Sequence, residues 1–256
     1  SRRILVKNGE TSIRIVGWAV QCPSFGYYSS CRSIEMKLLA LDTATEACSA
    51  AVWVDGTVLE CYELAPRRHA TLILPMIEAV LADAGLSPLQ LDAIAFGRGP
   101  GAFTGVRIAV GVAQGIAFAA DRPVIPISTL AALALGAAQE TGYSRIAAAL
   151  DARMGEVYWG FYAVTDHDAN PLGEEQVCTP QSVIAPIPGD WFGVGNGWTA
   201  HATVLAQCLP VSGWQGGRYP RASDVARLAA APPRRSAWVN ADQALPVYLR
   251  NKIVSK

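Results

Sequence analysis

Residues 97–107 place four glycines and a proline in eleven positions, and they lead straight into a segment, 108–120, whose only polar side chain is Gln114. A glycine-rich turn that opens a helix can aim backbone N–H groups at an anion. A helix that is apolar all round has to be covered all round. One side can lie on its own sheet, and the other needs a second cover. The loop therefore points to a nucleotide and the helix to a protein contact; the residues alone leave both open.

With 256 residues, 51% of them hydrophobic, the chain can bury a full core in one domain or two small ones. Its 21 basic and 21 acidic residues balance, which removes any global pull on nucleic acid or an anionic membrane. An RNA substrate is then expected to be met only indirectly, with another chain carrying the phosphate contacts. Cys22, Cys31, Cys48, Cys61, Cys178 and Cys208 form no CxxC pair and no Cys/His cluster with zinc spacing. Reduced thiols and a cytoplasmic location are the expectation. No apolar run reaches the ~18 residues of a membrane-spanning helix, so no membrane partner is expected.

Residues 1–35 differ from the rest. They hold Arg2, Arg3, Lys7, Arg14 and Arg32 against Glu10 and Glu35, and lack the apolar core of a signal peptide. A well-patterned strand begins right after Met36. The expectation is an upstream extension with poor order, followed by a functional chain starting at Met36.

From there, 37–41 reads as a buried strand, and 49–54 and 57–62 as two more joined by Asp55-Gly56, a strong two-residue hairpin signal. A helix over 70–84 ends at Gly85. Ile73, Met76, Ile77, Val80 and Leu81 form its inner stripe, Leu74 sits on another face, and Pro75 is expected to kink it. Strands at 92–96 and 123–127 flank the glycine-rich loop and apolar helix, with Thr104 as the expected N-cap. A helix over 129–138 leaves this half. The second half repeats the opening loosely, with a hairpin from 145–150 and 156–164, a strand at 191–194, and helices over 199–208 and 223–231. Proline joints at Pro186/Pro188 and Pro232/Pro233 break the pattern. Strands alternating with helices predict an α/β fold of two subdomains, 36–138 and 139–256, each with a mixed sheet and flanking helices.

Gly111 and Gly115 are four apart, share a helix face, and let another helix approach closely. A partner contact is expected from Leu74 and Ile77 of the first helix and Gly111, Val112, Gly115, Ile116 and Ala119 of the second, with Ala109 widening it.

Four stretches together resemble the bacterial TsaB (YeaZ) family. They are Met36 to Ala47 with its Asp42-Thr43-Ala44-Thr45-Glu46 turn, Gly99-Pro100-Gly101 through Arg107, Asp151-Ala152-Arg153-Met154-Gly155-Glu156-Val157-Tyr158, and Pro246-Val247-Tyr248-Leu249-Arg250-Asn251. They fall in the family's order. The resemblance implies an actin-like/RNase H-like (ASKHA) fold. It implies an accessory subunit for making threonylcarbamoyladenosine next to the anticodon of tRNAs that read A-starting codons. The implied partners are a TsaD-type transferase subunit in a heterodimer and a TsaE-type ATPase, with a homodimer when the chain is alone.

In the nucleotide-binding members of that superfamily, the place of Asp42-Thr43-Ala44-Thr45 is the first phosphate loop. Asp42, Thr43, Thr45, Gly99, Gly101, Thr104 and Arg107 are accordingly the candidate nucleotide contacts. Each has a plain alternative in turn geometry, since no lysine completes a Walker motif. No cofactor is required, and ATP or ADP binding stays open, as does an actin-fold ATPase or kinase as the alternative activity. Asp151, Arg153 and Glu156 can pair with one another or bind something in the cleft. His69, His167 and His201 lack the spacing of metal ligands, so neither a metal site nor a catalytic residue is expected.

Overall fold

The computed structural model describes residues 36–232 and 238–250, together with the backbone of 12–16. Ser12–Val16 forms strand β1. The rest of the extension, and Asn251 of the last motif, lie outside the described residues.

The first half runs β2 (Lys37–Asp42), β3 (Ala47–Val54), β4 (Thr57–Leu64), α1 (His69–Ala84), β5 (Ala93–Gly97), α2 (Phe103–Ala120), β6 (Val124–Ile127) and α3 (Thr129–Thr141). The second runs β7 (Arg145–Asp151), β8 (Val157–Val164), β9 (Ala169–Pro171), β10 (Gln176–Cys178), β11 (Trp191–Val194), α4 (Asn196–Cys208), β12 (Val211–Gln215) and α5 (Ala222–Ala230). Asp55 and Gly56 both take positive φ, 47° and 89°, the geometry that a two-residue hairpin of right-twisted strands needs. Gly85 closes α1 in the left-handed conformation.

One sheet has the order β1-β4-β3-β2-β5-β6 and the other β10-β8-β7-β11-β12, with β9 beside β8. In each, an antiparallel meander gives way to two parallel strands. The halves therefore share a topology that their residues scarcely show. This is the two-sheet architecture expected of the actin-like/RNase H-like fold.

Alternation along the strands sorts the core into layers. Leu39, Leu41, Ala50, Val52 and Phe96 face α1 and α2. Leu38, Ala40, Ala51 and Ala95 face the opposite way, onto a central layer of α3 and α5 that also meets Ile146, Ala148 and Leu150 of the second sheet. On the outer side of that sheet Trp191 of β11 packs in one cluster with Trp198 and Leu205 of α4. The boundary expected at residue 138 falls inside α3, and α5 packs back against β2 and β3.

Several expectations are corrected. The N-cap of α2 is Ala102, and Thr104 is its second residue. Starting at Phe103, α2 reaches 18 residues, a length and composition sufficient to cross a membrane. Its Val106, Ala109, Val110, Ala113 and Ala117 nevertheless cover a sheet. Ile77 is only 4% exposed and Ala109 is fully buried, so neither offers surface to a partner. Both lie on the sides of α1 and α2 that turn toward the sheet. The short strands β9 and β12 escaped the pattern because Pro171 and Gly213 interrupt them, and β10 because its three residues are too few to show an alternation.

Candidate functional site

β2, β5 and β6 are parallel and end together at Asp42, Gly97 and Ile127, the edge where open α/β sheets place ligands. Asp42 is 1% exposed. Its Oδ1 accepts the Ala44 N–H at 2.9 Å and its Oδ2 the Thr129 hydroxyl at 3.5 Å. Burial pushes its carboxyl up from 3.8 to about 6, because few dipoles replace the lost water. The Thr43 hydroxyl donates to Gly105 O at 2.7 Å, and Ala102 N–H donates to Ala44 O at 2.7 Å. A Cβ on Gly101 or Gly105 would overlap the carbonyl of Ala44 or Thr43. These glycines let the loop lie against the β2–β3 turn, which is backbone fitting.

A cleft of about 460 Å³ opens between the two halves, and each of the four motifs contributes to its lining: Thr45 and Glu46, Gly101 and Phe103, Asp151 and Arg153, and Arg250. Of the expected nucleotide contacts, only Thr45 and Gly101 reach it. Asp42 and Thr43 are buried and absent from the lining, Gly99 backs onto Val247, and Thr104 and Arg107 are exposed on α2.

Arg153 bridges the halves by pairing with Glu46 and Asp151, each at 3.1 Å. Asn196 adds a bond to Glu46 at 3.3 Å while accepting the Asp151 N–H at 2.9 Å. Glu156 does not join this group; it pairs with Arg250, which also donates to Ala152 O at 3.0 Å. His69 opens α1 without capping it and lines the cleft, its Nε2 buried and unpartnered among the described residues. Among these residues no group of three His, Cys, Asp or Glu side chains comes together to hold a metal.

The second candidate surface is the outer side of α1 and α2. Gly111, Gly115, Phe118 and Ala119 are exposed, and Val112 and Ile116 half-buried. Leu74 is 51% exposed and Phe118 84%. An added Cβ at Gly111 or Gly115 would meet nothing within 4 Å. Phe118 was not anticipated; its place at the end of the Gly111/Gly115 stripe was the available signal.

Sequence reasoning also missed Glu60, a buried carboxylate that receives Arg221 Nε at 3.0 Å and Ser223 N–H at 2.9 Å and so secures the start of α5. A second hub, Glu175 with Tyr162 OH at 2.6 Å and the Ser128 hydroxyl, ties β8 to the start of α3.

Comparison with known proteins gives three kinds of likeness. A family profile described as TsaD, tRNA N6-adenosine threonylcarbamoyltransferase, matches residues 62–206. The tRNA threonylcarbamoyladenosine biosynthesis protein TsaB of Escherichia coli is 43% identical over 228 residues, which is 86% of this chain and 97% of that protein. Its Haemophilus influenzae counterpart is 42% identical over 231 residues, 86% and 96% of the two chains. Among solved structures, YeaZ from Pseudomonas aeruginosa superposes with a TM-score of 0.79 at 49% identity, covering 84% of this chain and all of that one. A second Pseudomonas aeruginosa structure, of an uncharacterized protein with similarity to peptidase YeaZ, gives 0.80 at 48%, with the same coverage.

Proposed function

Because the chain belongs to the TsaB (YeaZ) family of tRNA threonylcarbamoyladenosine biosynthesis proteins, we propose that it is a non-catalytic scaffold that docks a TsaD-type transferase. The observation that carries this reading is the exposed apolar side of α2, with Gly111 and Gly115 open to close approach, Phe118 exposed on the same helix and Leu74 exposed on α1. Apolar surface exposed on two helices that touch each other is costly to leave in water. The small residues suit a close helix–helix crossing. The transferase then supplies the reacting groups, and tRNA is held chiefly by the other subunits. In the absence of the transferase the same face joins two copies of the chain, and a TsaE-type ATPase completes the machinery. Work beside tRNA places the complex in the cytoplasm.

The alternative, an actin-fold ATPase or kinase, needs a carboxylate aimed at a metal-bound water and loops clasping phosphate. Asp42 is instead buried, drawn toward the protonated form, and absent from the cleft lining, which favours the scaffold. Sedimentation of the purified chain with a TsaD-type transferase tests the reading. A one-to-one complex that Gly115→Leu abolishes is expected. No complex, together with ATP turnover that Asp42→Ala removes, would replace the scaffold with the enzyme.

A further inference from the structure

The motifs around Asp151 and Arg250 lie away from the α1–α2 face, so docking there leaves them without a task. The exposed side of α2 nevertheless runs on toward them. Phe103, Arg107, Gly111 and Gly115 are spaced by four along one side of the helix, and Phe103 lines the cleft. Arg107 lies over the Phe103 ring, 3.8 Å from its centroid, and donates through Nε to the Tyr248 hydroxyl at 2.8 Å.

The cleft mouth carries unspent positive charge. Arg67, in its lining, and Arg107 make no ion pair among the described residues. Helices α1, α2 and α4 all begin at this cleft, and none has a side-chain cap. By contrast, α3 and α5 begin elsewhere and are served by Ser128 and Glu60. The Arg67 guanidinium and three positive helix ends therefore border one space, and the Arg107 guanidinium stands just outside it, over the ring of Phe103.

The hairpin turn at the cleft is also held in a costly shape. Arg153 and Met154 take φ of 62° and 58° in succession, at about 1–3 kcal/mol for each such residue. Arg250 holds this turn through Ala152 O and Glu156. The turn keeps Met154 81% exposed.

We propose that the cleft mouth is a second contact for the docked partner, receiving an extended acidic segment of it. A carboxylate of that segment meets Arg67 and Arg107, and an apolar neighbour covers Met154 and Phe103. This rests on the docking reading above. From Gly111 to Phe103 the helix rises about 12 Å at 1.5 Å per residue, a distance about four extended residues span. Glu46 and Asp151 stand in the same lining. Their charges oppose a polyphosphate or an RNA backbone, while a single carboxylate meets a small net positive field.

The test is calorimetric titration of the chain with a purified TsaD-type transferase at low and high salt. Arg67→Gln/Arg107→Gln is expected to raise Kd about tenfold at low salt and to remove most of the salt dependence. The charge-retaining Arg67→Lys/Arg107→Lys recovers most of the affinity, which separates charge from misfolding. An unchanged Kd and salt slope in the glutamine variant, with Gly115→Leu still abolishing binding, overturns the cleft contact and leaves helix docking intact. Binding that survives Gly115→Leu overturns the docking reading itself. The chain alone is also titrated with ATP and with unmodified tRNA. Tight binding of either, lost in the glutamine variant, assigns the arginines to phosphate and overturns the acidic segment; no binding of either supports it.

Discussion

Gly115→Leu asks the fold and the assembly for opposite answers. Gly115 is exposed, and a side chain there meets nothing within 4 Å. Inside a helix, leucine is favoured over glycine by about 0.8–1 kcal/mol. For a chain of this size that raises Tm by about 2–4 °C. In a docked complex the same side chain stands between two helices brought together by small residues. Forcing their axes apart by even about 1 Å forfeits a quarter to a half of the dispersion energy along the seam, and overpacking of this kind costs about 1–3 kcal/mol. The upper part of that range is about a hundredfold in Kd. Parallel melting curves and calorimetric titrations with the transferase give both numbers. A Tm lowered by more than about 5 °C would mean that Gly115 is packed within the chain. A Kd within about twofold of the parent would remove it from the interface.

Three more outcomes are expected. Leu74→Ala and Phe118→Ala should each weaken the heterodimer by about 1–2 kcal/mol while leaving urea unfolding of the chain alone nearly unchanged; loss of stability without loss of affinity would place them in the core. Because burial raises the Asp42 carboxyl from 3.8 to about 6, the folded state holds a proton that the unfolded state has released. Stability therefore falls as pH rises from about 4 to 6, by about 3 kcal/mol in all. Asp42→Asn, which keeps the acceptor for Ala44 N–H, should flatten that slope and be more stable than the parent in urea at pH 8; equal slopes in the two proteins would contradict the reasoning. Glu60→Ala leaves Arg221 unpaired and the start of α5 unsecured, so it should cost about 2–3 kcal/mol in urea titration, and a change under about 0.5 kcal/mol would refute that role.

Local chemistry was legible where it depends on neighbouring residues. Asp55-Gly56 and Gly85 announce their turns because few other residues tolerate positive φ. The strand at 191–194 stands out as a short apolar run bounded by turn residues. The start of α2 was misread because Thr104 is a good capping residue in isolation, whereas the close fit of Gly101 and Gly105 on Ala44 and Thr43 starts the helix two residues earlier. Such a fit depends on residues some sixty positions apart and leaves no local trace. The convergence of the four motifs on one cleft was hidden for the same reason, since Glu46, Arg153 and Arg250 meet only through the sheet topology. Ile77 was read two ways: periodicity put it in the inner stripe of α1, which the structure bears out, and its second assignment to the partner contact fails because one side chain cannot serve both faces.

The most direct test is threonylcarbamoyl transfer to unmodified tRNA by the reconstituted machinery, run without this chain, with it, with its Gly115→Leu form, and with this chain as the sole protein. The account predicts transfer only when the unaltered chain joins the transferase. Transfer by the chain alone, or full activity in its absence, would contradict it.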